Sequence, residues 1–370
     1  MADVIQYKCP SCGGILEFDP ASQKMRCPYC ESVFTMQDVQ SSDTTGLADE
    51  EGSPLLQGAE VLDHAEIAWQ TGEADNLRVY GCQSCGAEIV ADATTAATKC
   101  PYCDNVVVMK GQFSGGLRPD MVLPFKVSRE QAIEQYKKHI SSSKYVPNVF
   151  SANNHPSEIQ GVYVPFWLYD ADANADITYN AQRVRTWSDR DYNYTETEHY
   201  RLHRAGTIRM EKVPVDGSSK MADDLMESIE PFDAEAAVPF TTGYLAGFVA
   251  NRYDVDHIAC KPRALERMKK SAEEAFHSTV RGYTGVSVAN SLVTFPRADV
   301  HYALYPVWML STQWEGKPYL FAMNGQTGKF VGDLPLDKKK FSRARIKYGL
   351  IFALVAFIVI EVLGMIGSYL

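Results

Sequence analysis

The sequence predicts a multidomain chain: two small four-cysteine zinc ribbons, a mixed α+β body and one C-terminal transmembrane helix. Three observations predict it. Eight of the nine cysteines fall in Cys-x-x-Cys pairs. Helix-period and strand-period segments alternate between Met121 and Pro335. The last 23 residues carry a single charge, Glu361. A length of 370 residues allows several structural units. With 45% hydrophobic and 22% charged residues, the composition suits a packed core.

Taken in order, the first ribbon spans 1–36. Cys9 and Cys12 are followed after 14 residues by Cys27 and Cys30. Residues 37–58 are polar and acidic with Gly and Pro, which predicts a flexible linker. Residues 59–77 carry Val61, Leu62, Ala65 and Trp69 at helical spacing, a short helical segment that docks on the second ribbon. The second ribbon spans 78–112, with Cys82 and Cys85 again 14 residues before Cys100 and Cys103. This layout leaves the first ribbon loosely tethered. Both ribbons close with "CPYC", and Gly13 and Gly86 supply the positive φ that a tight knuckle needs. Four thiolates fill a tetrahedral site and leave no position for water, so each site is structural: two Zn²⁺ ions, with iron the alternative metal. About 30 residues cannot bury enough apolar area to fold unaided, and the metal supplies the difference. Cys260 has no partner motif and reads as an ordinary buried thiol.

The body divides into 113–236 and 237–337. "VSREQAIEQYKKHIS" opens with Ser128 and Gln131 in capping-box spacing and places Ala132, Ile133, Tyr136 and Ile140 on one face. "PRALERMKKSAEEAFHSTVRGY" is the second helix, with Pro262 at its start. Strand patterns fill the remainder, and Asn324-Gly325 with Thr327-Gly328 marks a hairpin turn. A weak internal echo is compatible with a duplicated α+β unit. "LPFKVS", a helix and "YVPFWLYD" are matched by "VPFTTG", a helix and "LYPVWMLS", with Pro165-x-Trp167 against Pro306-x-Trp308.

Three arrangements with a catalytic outline fall short. His199 and His203 lack the glutamate of a zinc-protease helix and read as a solvated pair on a strand. "GQTGKF" lacks the glycine spacing of a phosphate-binding loop. "DADANADI" lacks the glycine and closing glutamate of a calcium loop. No catalytic constellation emerges, so a non-enzyme is expected.

The tail combines a basic juxtamembrane segment, 338–347, with an apolar run, 348–370. As a helix, the apolar run spans roughly 34 Å, enough for a bilayer core. Lys338, Lys339, Lys340, Arg343, Arg345 and Lys347 place its N-terminal side in the cytoplasm and face anionic lipid headgroups. The expectation is a tail-anchored, single-pass protein of the cell membrane with cytoplasmic domains. Gly349, Ala353, Ala356, Glu361, Gly364, Gly367 and Ser368 share an arc of about 140°, a stripe suited to the helix of an integral membrane partner. Total charge is −10 and pI about 5.4. Six positive charges in the basic run leave −16 elsewhere, which opposes a general nucleic-acid binder.

"LRVYGCQSCGAEIVADATTAATKCPYCDN", "VLPFKVSREQAI", "GVYVPFWLYD" and "NGQTGKFVGDLP" resemble the membrane-anchored double zinc-ribbon (TFIIB-type ribbon) proteins of Gram-positive bacteria. Those are encoded in phage-shock-type operons with a flotillin-like SPFH protein and a PspA-like protein. The resemblance implies a membrane-stress adaptor that recruits the SPFH/flotillin-like or PspA-like protein. The long acidic linker, and Asp104 where glycine is expected, depart from the pattern. The alternative reading is a membrane-tethered nucleic-acid-binding or transcription-related ribbon protein.

Overall fold

The computed structural model describes residues 7–40, 69, 72–75, 77–92, 99–112, 116–151, 158–315 and 317–367. The expected linker 37–58 and most of the helical segment 59–77 lie outside the described residues.

The first ribbon holds three short antiparallel strands, β1 (Glu17–Asp19), β2 (Lys24–Arg26) and β3 (Val33–Phe34), then helix α1 (Met36–Gln40). The second contributes β4 (Leu77–Cys82), β5 (Glu88–Asp92) and β6 (Val107–Gln112). The body follows: β7 (Met121–Val122), α2 (Arg129–Ser141), β8 (Gln160–Ser188), β9 (Asn193–Asp216), α3 (Asp223–Ser228), β10 (Val238–Pro239) and β11 (Val249–Asn251). It continues with α4 (His257–Ser278), β12 (Gly285–Thr294), β13 (Ala298–Trp314), β14 (Lys317–Asn324), β15 (Phe330–Val331) and α5 (Lys338–Gly367). Strands β4 to β15 form one 12-stranded sheet. The body is therefore mostly β-sheet with a few helices, which corrects the mixed α+β body expected.

Ribbon 2 is built into that sheet. β5 pairs with β11 through Ala91↔Val249 and Ile89↔Asn251. Ribbon 1 keeps its own small sheet but is not loosely tethered. The Tyr7 hydroxyl and Thr242 Oγ1 are 3.0 Å apart. The Phe18 N–H donates to the Ala246 carbonyl at 3.3 Å, and the Phe18 and Tyr244 rings meet edge-on at 5.1 Å. A module this small cannot close a core alone, so Leu16, Phe18 and Met25 join the main one.

An internal twofold relation organises the body. β7 runs parallel to β13 with Met121↔Ala303, and β11 runs parallel to β8 with Val249↔Val162. In the β8–β13 ladder Pro165 faces Leu304 and Pro306 faces Tyr163. Each half thus lends a short strand to the other, β7 to β13 and β11 to β8. Ser128 caps α2 in a complete capping box, and Asp256 caps α4 through the Ala259 N–H. The two tryptophans of the Pro-x-Trp echo act alike. Trp308 Nε1 donates to the Val127 carbonyl at 3.0 Å, and Trp167 Nε1 donates to the Val255 carbonyl at 2.9 Å. Each pins the residue just before a helix cap. The counterpart of "LPFKVS" is accordingly "NRYDVD" (Asn251–Asp256), not "VPFTTG", whose Val238–Pro239 instead forms β10 against β7. α4 also starts five residues before Pro262, because Asp256 supplies a cap there. The carbonyl that Pro262 leaves unpaired belongs to exposed Ile258.

β8 spans 29 residues, roughly 95 Å of chain. With β9 and β12 it forms a long arm. "DADANADI" is part of β8, with its acids outward and Ala171, Ala173, Ala175 and Ile177 inward. "GQTGKF" is the β14–β15 turn, where Asn324 Oδ1 accepts from the Gln326 and Thr327 N–H groups.

Among the described residues no helix is long and apolar enough to cross a membrane. The expected transmembrane anchor over 348–370 is corrected on that finding, and with it the tail-anchored, single-pass membrane localisation with cytoplasmic domains. α5 spends its first ten residues on the basic run.

Candidate metal centres

The eight expected ligands converge in two groups, Cys9, Cys12, Cys27, Cys30 and Cys82, Cys85, Cys100, Cys103. Within each, all four sulfurs lie within 4.8 Å of one another. In ribbon 1, Sγ–Sγ separations are 3.5 Å for Cys9–Cys30 and 3.5 Å for Cys12–Cys27. In ribbon 2 they are 3.5 Å for Cys82–Cys103 and 3.6 Å for Cys85–Cys100. A tetrahedron with metal–sulfur bonds of ~2.3 Å has edges of about 3.8 Å. Disulfides require about 2.0 Å, and all eight cysteines are free thiols. The donor set fits one four-coordinate metal per ribbon, as a double zinc ribbon requires. Four thiolates suit zinc or iron and leave no open coordination position.

Backbone bonds shape each knuckle. Gly13 N–H donates to the Cys9 carbonyl at 2.8 Å, and Gly86 N–H to the Cys82 carbonyl at 3.0 Å. Both glycines sit at φ 72°. In the second knuckles Glu31 and Asp104 both adopt φ 59°. Asp104 thus takes the left-handed conformation for which glycine was expected, and an acidic side chain tolerates it.

Ribbon 2 is embedded in the body. Tyr102, between Cys100 and Cys103, is 6% exposed. Ser311 Oγ donates to its carbonyl at 3.1 Å. Burial raises the pKa of its phenol, and the neighbouring charge of Asp216 adds to the effect. Beneath it lies a buried polar cluster that cysteine spacing could not reveal. Asn251 Nδ2 donates to Ser218 Oγ at 2.7 Å, and Ser218 N–H donates to Asp216 Oδ1 at 3.0 Å. The Cys260 thiol donates to the Asp216 carbonyl at 3.4 Å. Burial pushes that thiol up to about 12, the behaviour of an inert core cysteine.

Burial also raises Asp216 well above the usual carboxylate range. The folded state therefore holds a proton that the unfolded chain releases. That contribution is complete below the unfolded pKa and is lost as pH rises through the folded one. Asp216→Asn keeps the acceptor for Ser218 without the ionisable group. Its melting temperature should gain on that of wild type as pH rises above the ordinary carboxylate range. A variant that loses ground to wild type with rising pH contradicts this.

The remaining expected sites scatter. His203 Nε2 lies 2.8 Å from Asp176 on the exposed arm, and His199 is solvated beside it. Lys338, Lys339, Lys340, Arg343, Arg345 and Lys347 all lie in the first turns of α5. There Lys340 Nζ donates to the Val146 carbonyl at 2.7 Å. Gly349, Ala353 and Ala356 follow on the same helix. The side chains of Glu361, Gly364 and Gly367, and all of Ser368, lie outside the described residues. The lipid and helix contacts expected of both sets presuppose a membrane-crossing helix, which the described residues do not show.

No protein-family model matches the chain, and no solved structure matches it. YdjG of Bacillus subtilis (strain 168), described as an uncharacterized protein, is 34% identical over 338 residues, covering 91% of this chain and 92% of YdjG. The chain belongs to the family that includes YdjG.

Proposed function

We propose that the protein is a non-enzymatic adaptor in a membrane-stress response, with its two ribbons stapled by zinc. The observation that carries this reading is the closure of both centres. Each holds four cysteine sulfurs within 4.8 Å of one another, so a bound metal organises the chain and has no free position for a substrate. The motif resemblance points to an SPFH/flotillin-like or PspA-like protein as the partner. Two rigid modules on one chain allow two modest contacts to add through effective concentration.

The test is co-elution of the metal-loaded full chain with the purified SPFH/flotillin-like or PspA-like protein in size-exclusion chromatography. A stoichiometric complex with one of them supports the adaptor. A chain that elutes apart from both, yet binds duplex DNA with affinity falling steeply in salt, contradicts it and favours the nucleic-acid reading.

A further inference from the structure

The cysteines and knuckles of the two ribbons correspond at an offset of 73, but one equivalent pair of side chains differs sharply in burial. Their knuckle glycines, left-handed residues and knuckle hydrogen bonds coincide, including Cys27 N–H to the Ser32 carbonyl and Cys100 N–H to the Asn105 carbonyl. Tyr29 and Tyr102 are equivalent, each the third residue of "CPYC". Tyr102 is buried in the body, whereas Tyr29 is 74% exposed. The Tyr29 ring packs against Gly14, where an added Cβ would sit 2.6 Å from its Cδ2. The ring is thus backed by main chain. Ile15 and Val33, beside the same metal site, are exposed as well.

Pro28, just before this tyrosine, and Glu31, two residues after it, line a cleft of about 660 Å³ between ribbon 1 and the body. Phe18, Phe248 and Trp308 give it an apolar floor. Its walls carry the carboxylates of Glu17, Asp19, Glu31 and Glu130 against the two guanidinium groups of Arg26 and Arg129. Arg129 is already turned to the Ile159 carbonyl at 3.3 Å.

We propose that the Tyr29 knuckle and the adjoining cleft form a protein-docking site that takes a basic segment of the partner, with Tyr29 as its anchor. The proposal rests on the adaptor reading and names the module that makes its contact. Ribbon 2 shows what this face does when it is covered: the equivalent tyrosine inserts into a protein surface. The cleft volume falls in the range of functional sites, roughly 300–1,000 Å³. A rigidly backed tyrosine is a favoured interface anchor. The excess of carboxylates complements a basic peptide and repels phosphates, so a protein fits better than nucleic acid.

The test places p-benzoylphenylalanine at position 29 of the full chain, with Asn193 at the arm tip as the comparison position. The probes are the purified SPFH/flotillin-like and PspA-like proteins. The expected result is a crosslink to one probe from position 29 and none from 193. Tyr29→Ala, and separately Glu17→Gln with Glu130→Gln, should each weaken binding of that probe at least tenfold. Metal content and melting temperature should stay at wild-type values. If a probe binds but crosslinks only from 193, or if Tyr29→Ala binds equally well, the docking face is overturned and the adaptor reading stands. If neither probe binds the wild-type chain, the adaptor reading fails, and this proposal fails with it. Crosslinking from position 29 only to a second copy, or only to nucleic acid, overturns the proposal.

Discussion

Replacing Cys100 by serine should unfold the body, whereas replacing Cys27 should unfold only ribbon 1. The difference follows from how each ribbon is connected. β5 of ribbon 2 pairs with β11, and Tyr102, two residues beyond Cys100, is sealed into the body at 6% exposure. Structural zinc contributes on the order of 10–16 kcal/mol in small ribbons, comparable to the whole stability of an ordinary domain, about 5–15 kcal/mol. Ribbon 1 has its own three-stranded sheet and meets the body by core packing and hydrogen bonds such as Tyr7–Thr242, with no shared strand. Buried Cys260 is the reporter, since its thiol lies under the Asp216 turn. Alkylation of Cys260 should be fast in Cys100→Ser and as slow as wild type in Cys27→Ser. Equal protection in both variants would show that ribbon 2 is an appendage.

The second large effect is expected at the paired tryptophans. Trp167→Ala and Trp308→Ala should each cost about 3–5 kcal/mol and lower the melting temperature by roughly 10 °C or more. Trp167 is fully buried, with its ring 5.1 Å from that of Tyr302 and its Nε1 on the Val255 carbonyl. Trp308 stands 5.0 Å from Phe125 and holds the Val127 carbonyl. Each substitution leaves a cavity and frees the entrance to one helix. Hydrogen exchange should accordingly loosen α4 first in Trp167→Ala and α2 first in Trp308→Ala. Urea denaturation gives the magnitude, and a loss below about 1 kcal/mol at either site would contradict the twofold scheme.

What could be read from the sequence was local chemistry. Cysteine spacing located both metal sites, because a four-thiolate tetrahedron demands two knuckles. Ser128 and Gln131 located the start of α2 because a capping box is written in four consecutive residues. Long-range pairing left weaker marks. The Pro-x-Trp echo was visible, but its partner segments were misaligned, since the exchange of β7 and β11 between halves is a property of the sheet and not of either segment. Ribbon 1's attachment was missed for the same reason: Tyr7 meets a residue 235 positions away. The tail misled because periodicity and charge count cannot tell a membrane-crossing helix from another apolar helix. The contrast between Tyr29 and Tyr102 has no signature in "CPYC", which is identical in both ribbons. Only burial separates them.

The central claim is that two closed metal staples hold this fold and that the body depends on the second. Native mass spectrometry of the full chain, with Cys260 alkylation followed through a chelator titration, tests it most directly. The account predicts two metal ions per chain and Cys260 labelling that begins only as the second ion leaves. A chain that carries no metal, with eight reactive ribbon thiols and Cys260 still protected, would contradict it.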